Sequence, residues 1–594
     1  MKIKNCFFVL ALVFFCAACG SQDVEVKVNS IVPHPASIQL KDSGAFLLDR
    51  SAAIVYESEG AVNSAEFLQE YLQKHYGLAL KKRGRKTIEL QIKEDTSAVE
   101  GAYSLEVSPR RVTITGYNEP GLFYGVQTFI QLLPVGEMQG ASVAQTGAGG
   151  AAQDSVVAAA PEEVVTGAAT AVVAAAPEEA EAAGAAVKKG EPLGIPCVRV
   201  EDAPVFGYRG MHLDVARHFM PVEFVKRYID YLAMHKMNYF HWHLTDDQGW
   251  RIESKKHPSL NEVGSYRDAT IIGIYPGTGV DSTRYGGYYR MEELKEVVEY
   301  AAQRYITIVP EIDLPGHCMA VLATYPHFGT EDNAGVKTAT TWGIFNKLNN
   351  VLAPSEEVFA FLEDVFNELM DIFPGKYIHI GADECAHKWW KNSPKTQAFM
   401  KSHNLEDEDA LQRYFAERVS DVVKRRGRIP VGWDELVGHG LPDGVTVMVW
   451  RGWSKWMKAA DMGHQIIMTP SVMNYFNRQQ RPDETRLAHR GRPLTLDIVY
   501  NQDPVPDSLS VSQQKMIIGG QGCMWTEYFH TPEDVEYAIF PRLSAAAEVF
   551  WTKEELKDYG RFVKGLPDMF ARYELWGVEP CYYIFEEKPA GQEN

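Results

Sequence analysis

The sequence predicts an α/β protein: a (β/α)8 barrel over residues 200–575, preceded by a small α/β domain over residues 27–134. Three observations predict it. From about residue 205 onward, eight short β-branched or apolar runs alternate with stretches of helical periodicity over about 350 residues, the pattern of a closed parallel barrel. Polar and aromatic residues collect at the C-terminal ends of nearly all these runs, which is where such barrels carry their chemistry. The chain, 594 residues with 45% hydrophobic and 11% aromatic content, is long enough for two or three domains around a large core.

The elements follow in order. Residues 1–19 read as an export signal. Lys2 and Lys4 precede "FFVLALVFFCAAC", an apolar run too short for a comfortable membrane span and ending in small residues. The "CAAC" ending resembles a bacterial lipobox with Cys19 as the lipidated residue. Cys16 stands where leucine is usual, so cleavage without a lipid stays open. The mature protein is expected to be exported, in the periplasm or anchored at the outer membrane of a bacterium. The five later cysteines (Cys197, Cys318, Cys385, Cys523, Cys581) are scattered and odd in number, which is neither a disulfide framework nor a zinc pattern. A net charge of −19 argues against nucleic acid, whose phosphates require basic patches.

In residues 27–134, "TIELQIK" and "YSLEVSPRRVTITGY" predict strands, while "AEFLQEYLQKHY" and "GLFYGVQTFIQLLP" predict helices. No catalytic constellation occurs there, so the domain is supporting. Residues 135–194 differ in kind: "VVAAAPEE" occurs at 156–163 and again at 172–179 in an Ala-rich tract without an aromatic. Such side chains bury too little surface to offset chain entropy, which predicts a disordered insertion or linker. Two copies are too few to stack as a repeat domain. Order is expected to resume near Ile195.

The eight barrel runs are 210–215, 238–245, 306–312, 377–383, 428–434, 445–450, 465–470 and 516–524. Between them, Pro221 suits a first helical position before "VEFVKRYIDYLAMHK", and Gly427 suits the position just past "ALQRYFAERVSDVVKRR". Asp246 and Asp247 follow the second run, and Asp313 and His317 the third. Trp433, Asp434 and Glu435 close the fifth, Trp450 and Arg451 the sixth; Tyr475 follows the seventh, Trp525 and Glu527 the eighth. Arg209 fits poorly, since it begins the first run: either that boundary is misplaced or the residue is structural. Residues 576–594 are left as a tail.

The fourth run, "YIHIGAD", poses a question, because Asp383 and Glu384 are adjacent. Glycoside hydrolysis usually needs two carboxyl groups on opposite sides of the scissile bond. Neighbours along a strand point to opposite faces, so this pair cannot simply flank a bond. Either one acid is structural, or the two serve different parts of one substrate.

"YRGMHLDVARHF", "HWHLTDDQGWRIE", "PEIDLPGHCMA", "HIGADE", "GWDE" and "GGQGCMWTE", in that order, resemble the family 20 glycoside hydrolases, the β-N-acetylhexosaminidases. The resemblance runs from about 200 to 575, and the domain before it resembles the family's N-terminal companion. It implies an exo-acting, retaining enzyme that needs no metal or cofactor and releases terminal GlcNAc or GalNAc from oligosaccharides and glycoconjugates. The nucleophile it implies is the substrate's own acetamide oxygen. Glu384 would then be the general acid and Asp383 the group that orients the acetamide and stabilises the oxazolinium charge. Asp246 and His317 would tune Glu384 through a hydrogen-bonded relay, keeping it protonated when substrate arrives. Tyr475 would donate to the acetamide oxygen. Trp433, Trp450 and Trp525 would wall its pocket, and Arg209 and Glu527 would hold ring hydroxyls. Asn477 stands where the family commonly has Asp, and Ala382 replaces a frequent second Gly.

Competing readings are a sibling specificity (lacto-N-biosidase-like, or for a sulfated sugar) and a catalytically silent glycan-binding lipoprotein. His241 and His243 share a strand face without a sensibly spaced third metal ligand, which favours a packed or polar barrel-interior role. Trp389 and Trp390 read as packing or an aglycone rim, and Cys318, Cys385 and Cys523 as small buried fillers. If Cys19 carries a lipid, the mature chain partitions with membranes and Cys19→Ala releases it to the soluble fraction. Equal solubility of the two forms in a fractionation would favour ordinary secretion.

Overall fold

Eight parallel strands close into a barrel in sequence order, each of the eight lying at a run the sequence marks. They are β7 (Tyr208–Asp214), β8 (Tyr239–His243), β9 (Thr307–Leu314), β10 (Tyr377–Gly381), β11 (Ile429–Trp433), β12 (Thr446–Val449), β13 (Ile466–Met468) and β14 (Ile517–Met524). The last pairs with the first, from Gly519 opposite Tyr208 to Met524 opposite Leu213. The structure, a computed structural model, describes residues 28–136, 138, 188–330 and 335–586. Cys19 and the rest of the expected signal, most of the Ala-rich tract and the last eight residues lie outside them.

Strand periodicity sorts the side chains. Along β9, Val309, Glu311 and Asp313 share one face, and Ile308 and Ile312 join the apolar cluster with the surrounding helices. The barrel interior is graded. Toward the N-terminal ends it is aromatic, with Tyr208 and Tyr239 stacked at 4.2 Å and Tyr377 edge-on to Tyr208. Toward the C-terminal ends it is polar, with Glu311, His241, His243 and His379 fully buried. Both histidines of the "HWH" stretch thus have a polar interior place.

The helices begin and end where local chemistry dictates. Ser355 accepts a hydrogen bond from the Val358 amide at the start of Glu356–Ile372, and Asp407 does the same for Ala410 at the start of Glu408–Arg425. Gly427 takes φ +70° just past the latter helix, as a helix-ending glycine does. Pro221 sits one position earlier than expected, as the N-cap of Val222–Met234.

The N-terminal domain is one six-stranded sheet carrying two helices, Val62–Tyr76 and Glu119–Gln131. Its strands are β1 (Ser37–Leu48), β2 (Ala52–Tyr56), β3 (Lys86–Ile92), β4 (Tyr103–Ser108), β5 (Arg111–Gly116) and β6 (Leu193–Asp202), in spatial order β1-β6-β4-β5-β3-β2. The domain therefore does not end at residue 134. β6 follows the Ala-rich tract and pairs with both β1 and β4, a non-local pairing that no local pattern announces. Its last residue, Asp202, ties the domain to the barrel: its buried carboxylate accepts from Tyr103 at 2.6 Å, Lys236 at 3.1 Å and the Trp551 indole at 3.0 Å.

The expected C-terminal tail is also partly structural. Beyond the helix Tyr559–Trp576, Val578 and Cys581 are buried, and the Cys581 amide donates to the Phe540 carbonyl. On the other side of the tract, the Gly190 amide donates to the Tyr76 carbonyl at 2.8 Å. The stretch expected to be dispensable therefore stops short of residue 188. Replacing residues 140–187 by a short Gly/Ser linker is expected to leave the melting temperature and turnover unchanged. A fall in folded yield on that replacement would show that the tract packs.

Candidate active site

A cavity of about 230 Å³ opens over the C-terminal ends of the barrel strands. Trp450, Tyr475 and Trp525 form an aromatic wall, and His317, Asp383 and Glu384 bring charge to it. Arg217, Asn477, Arg478 and Glu527 also line it. The wall is continuous: Tyr475 lies 6.1 Å from both Trp450 and Trp525, ring centre to ring centre.

The adjacent acids reach the same cavity because they are not on a strand. β10 ends at Gly381, and the chain turns through left-handed conformations at Gly381 (φ +65°), Ala382 (φ +75°) and Glu384 (φ +40°). The alternation expected for neighbours along a strand does not apply. Gly381 is obligatory, since a Cβ there would fall 1.8 Å from Asp313 Oδ1. Ala382 and Glu384 adopt conformations that cost a side-chain-bearing residue about 1–2 kcal/mol each. His317, on the facing turn, adds another at φ +50°. Three side-chain-bearing residues thus take strained backbone conformations where the charges meet.

His317 stands between two pairs of carboxylates. Its Nδ1 lies 3.1 Å from Asp246 Oδ1 and 3.2 Å from Asp247 Oδ2. Its Nε2 lies 3.6 Å from Glu384 Oε2 and 3.8 Å from Asp383 Oδ2, ion-pair separations rather than hydrogen bonds. Burial disfavours the charged ring, but Asp246 and the other carboxylates outweigh it and hold His317 well above its ordinary pKa. His317 in turn pulls Glu384 below the usual carboxylate range, against burial. Burial pushes Asp383 up, opposed by His317 and reinforced by Glu311 and Glu384.

Before substrate arrives, the surrounding charges therefore favour a proton on His317 over one on Glu384. The Glu384 side chain is 43% exposed, so water stabilises its charge. Covering it with a sugar removes that water and favours the protonated acid.

Asp246 is buried and charged. Burial opposes its ionisation, but Arg217, whose Nη2 lies 2.7 Å from Oδ2, and His317 hold its pKa well below the usual range. Behind it, His243 donates from Nε2 to Asp246 Oδ2 at 3.0 Å and from Nδ1 to Glu311 Oε2 at 2.5 Å. Glu311 also accepts from the Trp433 indole at 2.9 Å and lies within 3.0 Å of nitrogens of His241 and His379. His241 and His243 thus converge on a carboxylate, which accounts for their polar placement.

Two family profiles cover the described fold. "Glycosyl hydrolase family 20, catalytic domain" matches residues 206–554, and "Glycosyl hydrolase family 20, domain 2" matches residues 28–203. The chain belongs to glycosyl hydrolase family 20. The second match ends just after β6, as the sheet requires. A β-hexosaminidase of Porphyromonas gingivalis is 33% identical over 97% of this chain and 68% of its own length. A family 20 exo-β-N-acetylglucosaminidase of Vibrio harveyi, solved with N-acetylglucosamine, is similar with a TM-score of 0.76 at 30% identity, covering 93% of this chain and 78% of that one. An N-acetyl-β-hexosaminidase of Streptomyces plicatus, solved with thio-NAglucal, gives 0.70 at 28% identity, covering 93% and 97%.

This family 20 chain brings most of the expected site residues together. Asp383, Glu384, His317, Trp450, Trp525, Tyr475, Asn477 and Glu527 line the cavity, and Asp246 lies directly behind His317. Trp433 is one layer deeper, with its ring 5.9 Å from Trp525, so it supports the wall. Asn477 donates weakly to Glu527 at 3.4 Å, and its buried Oδ1 has no partner among the described residues. Trp390 is packing, stacked on Phe415 and donating to the Leu352 carbonyl. Cys318, Cys385 and Cys523 are buried fillers.

Arg209 is the misassigned residue. It lies at the N-terminal end of β7, buried, where its guanidinium donates to the carbonyls of Lys236 and Phe206 and to the Tyr124 hydroxyl. The arginine at the cavity is Arg217, in the same "YRGMHLDVARHF" stretch but beyond the strand's C-terminal end. Its guanidinium lies 5.1 Å over Trp525 and 3.1 Å from Asp214. The strand-end rule that selected the other residues would have selected it too.

The two arginines should therefore respond differently to mutation. Arg209→Leu leaves buried carbonyls without donors and is expected to cost about 2–3 kcal/mol of stability in urea unfolding, with KM within about twofold of wild type. Arg217→Leu is expected to lower kcat/KM by about tenfold or more, on the scale of one hydrogen bond to a charged group. A raised KM for the Arg209 variant would return it to the site.

Proposed function

We propose that this chain is an exo-acting, retaining β-N-acetylhexosaminidase that removes terminal GlcNAc or GalNAc with the substrate's acetamide as nucleophile. The observation that carries this reading is the pair Asp383–Glu384: chain neighbours turned into one cavity, but in opposite electrostatic circumstances. Two carboxylates that attack and protonate must flank the bond. Adjacent ones on a single turn leave the nucleophile to be supplied by the substrate.

The division of labour follows from each acid's surroundings. Asp383 Oδ1 is buried and has no hydrogen-bond partner among the described residues; it is the acceptor for the acetamide N–H. Holding that group aims its carbonyl oxygen at the anomeric carbon, and the carboxylate's charge stabilises the oxazolinium ring as it forms. Glu384, sharing a proton with His317, gives it to the departing glycosidic oxygen and then takes one from the water that opens the ring. Two displacements restore the β configuration. Trp450, Tyr475 and Trp525 enclose the acetamide, Tyr475 donates to its oxygen, and Arg217 and Glu527 bind ring hydroxyls. A cavity of about 230 Å³ is smaller than most drug-sized ligand sites and suits one terminal sugar. The reading includes export, supported by Lys2, Lys4 and the apolar run before Cys19.

A β-glucoside lacking the acetamide should be turned over negligibly beside the matching β-GlcNAc. A very good leaving group should rescue glycosylation in Glu384→Gln far more than in Asp383→Asn. Because the folded pKa of His317 is raised above 6.5, the His317–Glu384 pair keeps its proton as pH passes 6.5 and loses it as pH rises through that higher value. The alkaline fall in kcat/KM should thus lie above pH 6.5 in the wild type, and in His317→Ala move to the carboxylate range, about pH 4–5. Inversion at the anomeric carbon, or ready cleavage of the plain glucoside, would overturn the substrate-assisted reading.

A further inference from the structure

We infer that Glu311 and His243, buried inside the barrel and touching no substrate, are positioning residues that hold the acid's relay and the acetamide wall in one arrangement. The inference rests on the functional reading above and extends it two residues into the core. Its basis is connectivity. One carboxylate, Glu311, meets the Trp433 indole through Oε1 at 2.9 Å and the His243 ring through Oε2 at 2.5 Å. Trp433 backs Trp525, and His243 passes the constraint to Asp246 at 3.0 Å, from which it reaches His317 and Glu384. The His243 ring also packs edge-on against Trp525 at 5.0 Å. Acid side and acetamide side are thus referenced to the same two oxygens.

The charges alternate along the path: Glu311, His243, Asp246, His317, Glu384. Burial disfavours a charged His243, but Glu311 and Asp246 raise it to about 10, so it is a standing cation that donates from both nitrogens and moves no proton. The charged and titratable groups around it are Arg217, Asp214, Asp247 and Asp313 at the strand ends, and His212, His241 and His379 within the barrel. His243 itself contacts both Glu311 and Asp246, a carboxylate of the relay. Removing its positive charge leaves Asp246 and Asp247 less balanced, so the proton shared by His317 and Glu384 is held more tightly.

The test compares His243→Gln and Glu311→Gln with wild type on two aryl β-GlcNAc substrates, one with a poor and one with a very good leaving group. His243→Gln is expected to move the alkaline limb of kcat/KM upward by at least half a pH unit. It should lower kcat by tenfold or more on the poor leaving group and by less on the good one. Glu311→Gln also frees Trp433, so it should raise KM and lower kcat on the good leaving group as well. Trp433→Phe, which keeps an aromatic ring but removes the indole N–H, should reproduce that second part without moving the pH limb. Equal losses on both substrates with an unmoved limb, after correction for folded fraction by circular dichroism, would reduce Glu311 and His243 to ordinary core residues and overturn the inference. If Glu311→Gln does not fold, His243→Gln and Trp433→Phe carry the same comparison. A wild type inert toward β-GlcNAc would instead remove the functional reading and this inference with it.

Discussion

The site depends on a buried carboxylate that accepts hydrogen bonds from separate strands. Glu311 is fully buried, and an isolated charge there would carry a desolvation penalty of several kcal/mol. It is held well below the usual carboxylate range despite that burial, because His379, His243 and His241 surround it. The compensation requires the strands bearing those histidines to keep a fixed register: Glu311 pairs with His243 on one side and with His379 on the other. A slip of one residue would turn every inward side chain outward and leave the charge unpaired. Electrostatics inside the barrel therefore fixes the geometry that the rim uses.

That geometry explains why the strained turns above it are affordable. Gly381, Ala382, Glu384 and His317 all take left-handed conformations, each unfavourable by itself for a residue with a side chain. They persist because Asp313 occupies the space beneath Gly381, and because the Ala382 amide donates to the Leu314 carbonyl at 2.9 Å, locking the two turns together. The strain has a consequence for chemistry. It converts two chain neighbours from opposite-facing residues into two groups in one cavity, one beside a protonated histidine and the other with an unsatisfied oxygen.

The N-terminal sheet contributes nothing to that cavity but bears on its stability. Lys236 and Asp202 are both fully or nearly fully inaccessible and 3.1 Å apart, joined by Tyr103 and Trp551. Arg209 belongs to this same seam, where burial lowers its pKa and the Tyr124 hydroxyl partly offsets the effect. An arginine in a signature stretch looked like a ligand for sugar hydroxyls, yet its place on the wrong end of the strand makes it a rivet between domains.

Local sequence was enough for the barrel, all eight of its strands, and most of the residues around the cavity. Strand runs are local, and a parallel barrel puts whatever follows each run at one mouth; Asp246, His317, Asp383, Glu384, Trp450, Tyr475, Trp525 and Glu527 needed only that rule. Cys19 and the Ala-rich tract were legible by composition, but as expectations on residues outside the described structure. Four matters needed the folded chain. It assigned β6 to the N-terminal sheet, because strand pairing across an insertion leaves no local trace. It exchanged Arg209 for Arg217, because the side of a barrel is a property of the closed sheet. It showed Asp383 and Glu384 facing one cavity, because a backbone φ is not written in residue type once Ala stands where Gly is common. It also showed that charge favours a proton on His317 over Glu384 before substrate arrives, because a pKa is set by the charges that surround a group, and those arrive from four different strands.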